Sequence, residues 1–150
     1  YDGYEISAYA RHPTCRSRHN MNYWEFGDYI GCGAGAHGKI TDFAPFIVRR
    51  TTKHKSPKAY QLAPTANHQT RTLDQTDMIF EYMLNFLRLR KPLVLQSFTE
   101  RTGVDHAALT PYLDRAQEKG FLLHDGASIQ LTAHGQRYLN DVQEIFLNNQ

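Results

Sequence analysis

The sequence predicts an α+β fold in which a β-rich first part is followed by a helical, winged-helix-like second part. Three observations carry this. Through residues 1–53 apolar side chains alternate with polar ones or stand among glycines, without a helical period. From Asp77 onward they recur at helical spacing, with Met78, Ile79, Tyr82, Met83, Phe86 and Leu87 forming one broad face. Between Leu122 and Leu131 two short apolar runs flank Asp125-Gly126-Ala127, a hairpin signal.

Taken in chain order, Tyr4 to Tyr9 alternates and reads as a strand broken by His12-Pro13. Arg11, Arg16 and Arg18 make the next stretch a basic, irregular loop. Tyr29 to Ala36 is apolar and glycine-rich, which fits a strand packed closely against backbone or ligand. Phe46 to Thr52 is β-rich and ends at Lys53 to Pro57. Ser56 to Thr76 is polar, contains Pro57 and Pro64, and reads as a connection crossing a surface. The expected organisation is strands over 1–55, a connecting segment over 56–76 and a helical domain over 77–150.

Within that last domain Pro92 ends the first helix, at about residue 90. Ser97-Phe98-Thr99-Glu100 is a capping-box pattern for a short helix stopping at Gly103. Thr110-Pro111 opens a third helix, and Gly120 stands where a left-handed cap belongs, with Phe121 following. Thr132 caps a last helix through Leu139, Val142, Ile145 and Phe146. Helix, helix, helix, hairpin, helix is a winged-helix order.

At 150 residues and 41% hydrophobic, the chain can bury a core as one domain or two small ones. Its net charge of +2 is unevenly spread. Residues 1–73 hold ten Lys/Arg against five Asp/Glu, and residues 74–150 hold seven against ten. Two units with different tasks are expected from that asymmetry. Cys15 and Cys32 make no disulfide framework and fit a reducing, cytoplasmic compartment. No apolar run approaches the roughly 18 residues of a membrane span. A chain that opens on Tyr1 in a strand-like segment reads as a piece of something longer.

The stretch His19-Asn20-Met21-Asn22-Tyr23-Trp24 places an imidazole, an amide, a phenol and an indole within six residues. A neutral imidazole is a good axial ligand for haem iron, and two aromatic faces can pack on a porphyrin. The arginines just upstream match the carboxylate geometry of propionates. A plain structural reading also fits, with His19 and Asn20 satisfying a turn while Tyr23 and Trp24 fill a core. The run Gly31-Cys32-Gly33-Ala34-Gly35-Ala36-His37-Gly38 is no dinucleotide fingerprint, because no helix with a downstream acidic residue follows. Alternate glycines bare the backbone to a ligand or to a packed neighbour, and His37 is open to a ligand, general-base or structural role.

A nucleic-acid-binding module is the competing class, since the third helix would be its reading helix. That helix carries Asp114, Arg115, Glu118 and Lys119, so its charges cancel. Phosphate binding needs clustered Lys/Arg. No nucleic-acid partner is expected.

Four motifs appear in one order: Tyr4-Glu5-Ile6-Ser7, His19-Asn20-x-x-Tyr23-Trp24, Gly31-x-Gly33-x-Gly35-Ala36-His37-Gly38 and Arg50-Thr51-Thr52-Lys53. Together they resemble the oxygen-independent coproporphyrinogen III oxidase-like family of radical SAM proteins, in particular its HemW-type haem chaperones. The resemblance covers essentially the whole chain. It implies the C-terminal part of such a protein, with the first strands completing a partial α/β barrel and a winged-helix-like domain after them. The family's CxxxCxxC motif, which holds a 4Fe–4S cluster beside S-adenosylmethionine, has no match here. The resemblance thus implies that catalysis, the cluster and S-adenosylmethionine belong with a preceding radical SAM part, and that this piece alone is inactive. It further implies haem binding by His19, Asn20, Tyr23 and Trp24, with His19 on the iron, and haem-receiving proteins as partners. Gly33, Gly35, Ala36 and His37 would then lie on the S-adenosylmethionine side. A coproporphyrinogen III oxidase of porphyrin biosynthesis is the alternative within the same family.

Overall fold

The computed structural model describes residues 1–147. Its elements follow in chain order. Strands β1 (Asp2–Gly3) and β2 (Tyr9–Ala10) pair antiparallel, and a single 3-10 turn over Pro13–Cys15 leads to helix α1 (Arg18–Trp24). Strands β3 (His37–Phe43) and β4 (Phe46–Thr52) form a hairpin, followed by helix α2 (Pro57–Leu62) and strand β5 (Gln69–Thr72). Helix α3 (Gln75–Phe86), strand β6 (Leu93–Val94) and helix α4 (Leu95–Thr102) come next. A 3-10 turn at His106–Leu109 runs into helix α5 (Thr110–Glu118). Strands β7 (Leu122–His124) and β8 (Ser128–Leu131) and helices α6 (Ala133–Arg137) and α7 (Leu139–Ile145) complete an α+β chain.

Several expectations are corrected. The strand over Tyr4–Tyr9 is a tight reversal instead, because Tyr4 N–H donates to the Ala8 carbonyl and so turns the chain back on itself. Residues 31–36 form a turn rather than a strand, and the basic stretch is irregular only as far as Ser17, because Arg18 already opens helix α1. The polar segment 56–76 contains α2 and β5. Helix α3 ends at Phe86, earlier than Pro92 implies. Leu87 and Leu89 are both buried, and Leu89 is bridged antiparallel to Glu5, so the chain leaves the helix to pair. Ser97 is not a cap, since the N-cap of α4 is Val94. The last helix breaks at Tyr138, whose ψ of 44° is non-helical, and the new direction buries Val142 and Ile145.

Other local signals hold. Gly103 and Gly120 adopt the left-handed conformation after α4 and α5, at φ 71° and 69°. Asp125 accepts from the N–H groups of Ala127 and Ser128, fixing the turn between β7 and β8. Thr132 caps α6 by accepting from Gly135 N–H.

The chain divides into two compact units, Tyr1–Phe26 with Gln75–Gln150, and Gly27–Asp74. The first is built on an aromatic cluster: Tyr82 packs edge-on against Phe26 and Phe98 and parallel to Phe86, at 5.1–5.8 Å between centroids. Phe26 holds φ at 60°, a left-handed value that costs a bulky residue about 1–2 kcal/mol. Burying its ring contributes about as much or more, so the strain is tolerated. Leu109, Ala116, Leu122 and Val142 extend this core, and β6, β8 and β7 form a small antiparallel sheet over it. The second unit is the sheet β3–β4–β5 with α2, which Ser56 caps. Its small interior holds Val48, Leu73 and, unusually, Lys39.

Candidate functional site

Helix α1 carries the His-Asn-x-x-Tyr-Trp set. Its start is fixed twice by Ser17, whose hydroxyl accepts from Asn20 N–H at 3.2 Å and whose own N–H donates to the Tyr4 hydroxyl at 3.2 Å. Tyr4 is buried, and the Arg16 guanidinium lies over its ring at 5.6 Å, so part of the basic loop is tied down. His19 and Tyr23 are one turn apart on the same face, with centroids 4.7 Å apart and rings nearly perpendicular. His19 is exposed, and its ring makes no hydrogen bond among the described residues. Asn20 and Trp24 occupy the adjoining face, both half-buried.

The other end of α1 is clamped by residues just after α3. The Arg88 guanidinium lies 4.4 Å from the centroid of the Trp24 ring, and Lys91 pairs with Glu25 at 2.6 Å. Four side-chain atoms of this unit are denied solvent and lack a partner among the described residues: Trp24 Nε1, Arg88 Nε, Glu5 Oε2 and, away from α1 on β7, His124 Nδ1. Glu5 is almost fully buried and accepts one hydrogen bond, from Ser7, on its other oxygen. Arg88 and Lys91 were not legible as site residues. A cation after an apolar helix normally signals only a favourable end of the helix dipole.

In the second unit the glycines serve mainly the fold. A Cβ at Gly31 would collide with the His37 carbonyl oxygen, and one at Gly38 would lie 2.6 Å from Thr51 Oγ1. Gly33 and Gly35 take positive φ, at 110° and 72°. Their N–H groups donate to the Tyr60 hydroxyl and to the His54 carbonyl. Ala36 accepts from Lys53 N–H, and exposed His37 faces Thr52 Oγ1 at 3.4 Å. Space is open only beyond Gly33, where a Cβ would meet nothing within 4 Å. The strongest polar group of this unit is Lys39 with Asp28 and Thr41. Burial pushes the Asp28 carboxyl up, but hydrogen bonds from Lys39 and Thr41 outweigh it and hold it below its usual value.

Residues 73–138 match the HemN C-terminal domain. Over 147 residues the chain is 40% identical to "Heme chaperone HemW" of Escherichia coli (strain K12), covering 98% of this chain and 38% of that protein. It is 36% identical over 150 residues to the protein of that name from Haemophilus influenzae, covering 100% of this chain and 38% of the other. The chain belongs to the HemN/HemW family. Its fold is similar to a solved structure titled as coproporphyrinogen III oxidase (HemN) from Escherichia coli, a radical SAM enzyme. That match has a TM-score of 0.56 at 18% identity and covers 80% of this chain and 28% of that one. The chain spans about 38% of the length of these HemW relatives. Among the described residues no helix is long and apolar enough to cross a membrane.

Proposed function

We propose that this chain is the haem-holding, C-terminal part of a cytoplasmic HemW-type chaperone that passes haem to recipient proteins. The observation supporting this most is helix α1, where a capped, clamped turn leaves His19 exposed beside the edge of Tyr23. The lone pair of a neutral imidazole nitrogen is then available to iron, with no competing internal hydrogen bond among the described residues. Tyr23, Asn20 and Trp24 supply the aromatic and amide surroundings. A 4Fe–4S cluster and S-adenosylmethionine belong in this reading to the preceding radical SAM part of the same protein. The turn with Gly33, Gly35, Ala36 and His37 serves the S-adenosylmethionine side, a role supported by the open space beyond Gly33.

Haem titration of the chain and of His19→Ala tests the reading. The chain should shift the Soret band on binding, and His19→Ala should lose that shift. An unchanged spectrum and affinity in the variant would remove His19 from the iron.

A further inference from the structure

Arg88 is a guanidinium with unusual surroundings. Its charge lies over the only tryptophan of the chain, at 4.4 Å. Its Nε and the Trp24 Nε1 are both shut off from solvent, and neither has an acceptor. No carboxylate pairs with Arg88 among the described residues, whereas Lys91, three positions on, pairs with Glu25. Arg88 as a whole is only half-buried, so part of the side chain is open to solvent. Buried N–H donors are nearly always satisfied in folded proteins, and a stacked pair of them without an acceptor calls for a partner. The chemistry missing is a planar anion with two acceptor oxygens, the group a guanidinium matches best.

Resting on the haem reading above, we propose that Arg88 recognises a carboxylate side chain of the porphyrin, so that selection of the acid form of the ligand comes from outside the His-Asn-x-x-Tyr-Trp motif. Trp24 lies five residues beyond His19, about 7.5 Å along α1 and on the adjoining face. A single flat ligand held at its metal by His19 can therefore extend its acid arm towards Arg88. Arg16 is already engaged on Tyr4, whereas Arg11 and Arg18 are exposed and no contact among the described residues holds them. Arg88 differs from all three in being held in place by its stack on the motif itself.

The test titrates haem and haem dimethyl ester into the full chain and into Arg88→Gln, Arg88→Lys, Arg18→Gln and His19→Ala. Circular dichroism and Trp24 emission check that each variant is folded. Arg88→Gln should weaken binding of haem about tenfold or more, as loss of a charge-assisted hydrogen bond does. It should leave the ester within about threefold, a difference too small to reflect a lost ionic contact. Arg88→Lys should recover part of the loss, and Arg18→Gln should show little. An equal loss for acid and ester would reduce Arg88 to a prop for Trp24, and no loss for either would overturn the proposal outright. His19→Ala reports separately: unchanged iron spectra there sink the ligand assignment while leaving the acid-to-ester contrast at Arg88 to stand or fall by itself. If the chain binds neither form, both readings fall.

Discussion

The Lys39 ammonium, almost wholly buried, sits 2.7 Å from Asp28 Oδ1, while the same carboxylate accepts from the N–H and hydroxyl of Thr41. One half-exposed acid thus keeps a buried cation neutralised and ties the segment before β3 to that strand. Because the Asp28 carboxyl is held below its ordinary value in the fold, it contributes stability above the unfolded value, about 3.9. That contribution is lost as pH falls through the folded value. Thermal melts of the chain should therefore drop below about pH 4. Asp28→Asn should flatten that limb and cost about 1–3 kcal/mol at neutral pH.

At the alkaline end the group to watch is Tyr82. Burial pushes its phenol well up, so the fold holds it neutral where the unfolded chain would ionise it. Its contribution is intact below the unfolded value of about 10 and declines above it. Comparing denaturation midpoints of wild type and Tyr82→Phe from pH 8 to 11 isolates this residue from the other tyrosines. The wild-type curve should fall relative to that of Tyr82→Phe as pH rises above about 10.

Phe86 stacks within 5° of parallel on Tyr82 and is buried. Truncation to alanine empties part of the cluster that also holds Phe26 and Phe98. Phe86→Ala should cost roughly 3–5 kcal/mol in urea unfolding.

Gly135 is buried in α6, and a Cβ there would collide with the carbonyl oxygen of Phe121. Backbone cannot step aside as a side chain can, so Gly135→Ala should destabilise by about 1–3 kcal/mol. Gly126, at φ 86° with open space around it, provides the control. Gly126→Ala should cost only the left-handed strain of about 1–2 kcal/mol. A smaller loss at Gly135 than at Gly126 would show that the Phe121 carbonyl does not crowd this position.

The features legible in the sequence are those set by a few neighbouring residues. Gly120, the Asp125 turn, the Thr132 cap and the apolar period of α3 each follow from local backbone chemistry. What escaped depends on remote partners. Strand β5 is exposed at every position and has no alternation to read; it is a strand because its backbone pairs with β4. The glycines at 31, 33 and 35 spell the same pattern for a bare strand as for the turn they make, and only the His37 carbonyl beside Gly31 separates the two. In the site, the chemical set on α1 stood out, but its helicity did not. Seven residues make a marginal helix, held here by Ser17 at one end and by Arg88 and Lys91 at the other.

The chain leaves the first unit at Phe26 and re-enters it at Gln75, so that unit is discontinuous and the 48 residues between are an insertion. Tethering two ends of a disordered stretch of that length costs roughly 3–4 kcal/mol beyond a constant. An insertion that has already folded has little of that freedom left to lose. The units are thereby linked in energy through connectivity alone, with no need for any contact to carry the effect. Weakening Asp28 in the inserted unit raises the cost of assembling the unit that holds α1. In refolding, the contiguous segment 27–74 should form ahead of the split one. Trp24 emission, which reports on the split unit, should then recover late, and later still in Asp28→Asn.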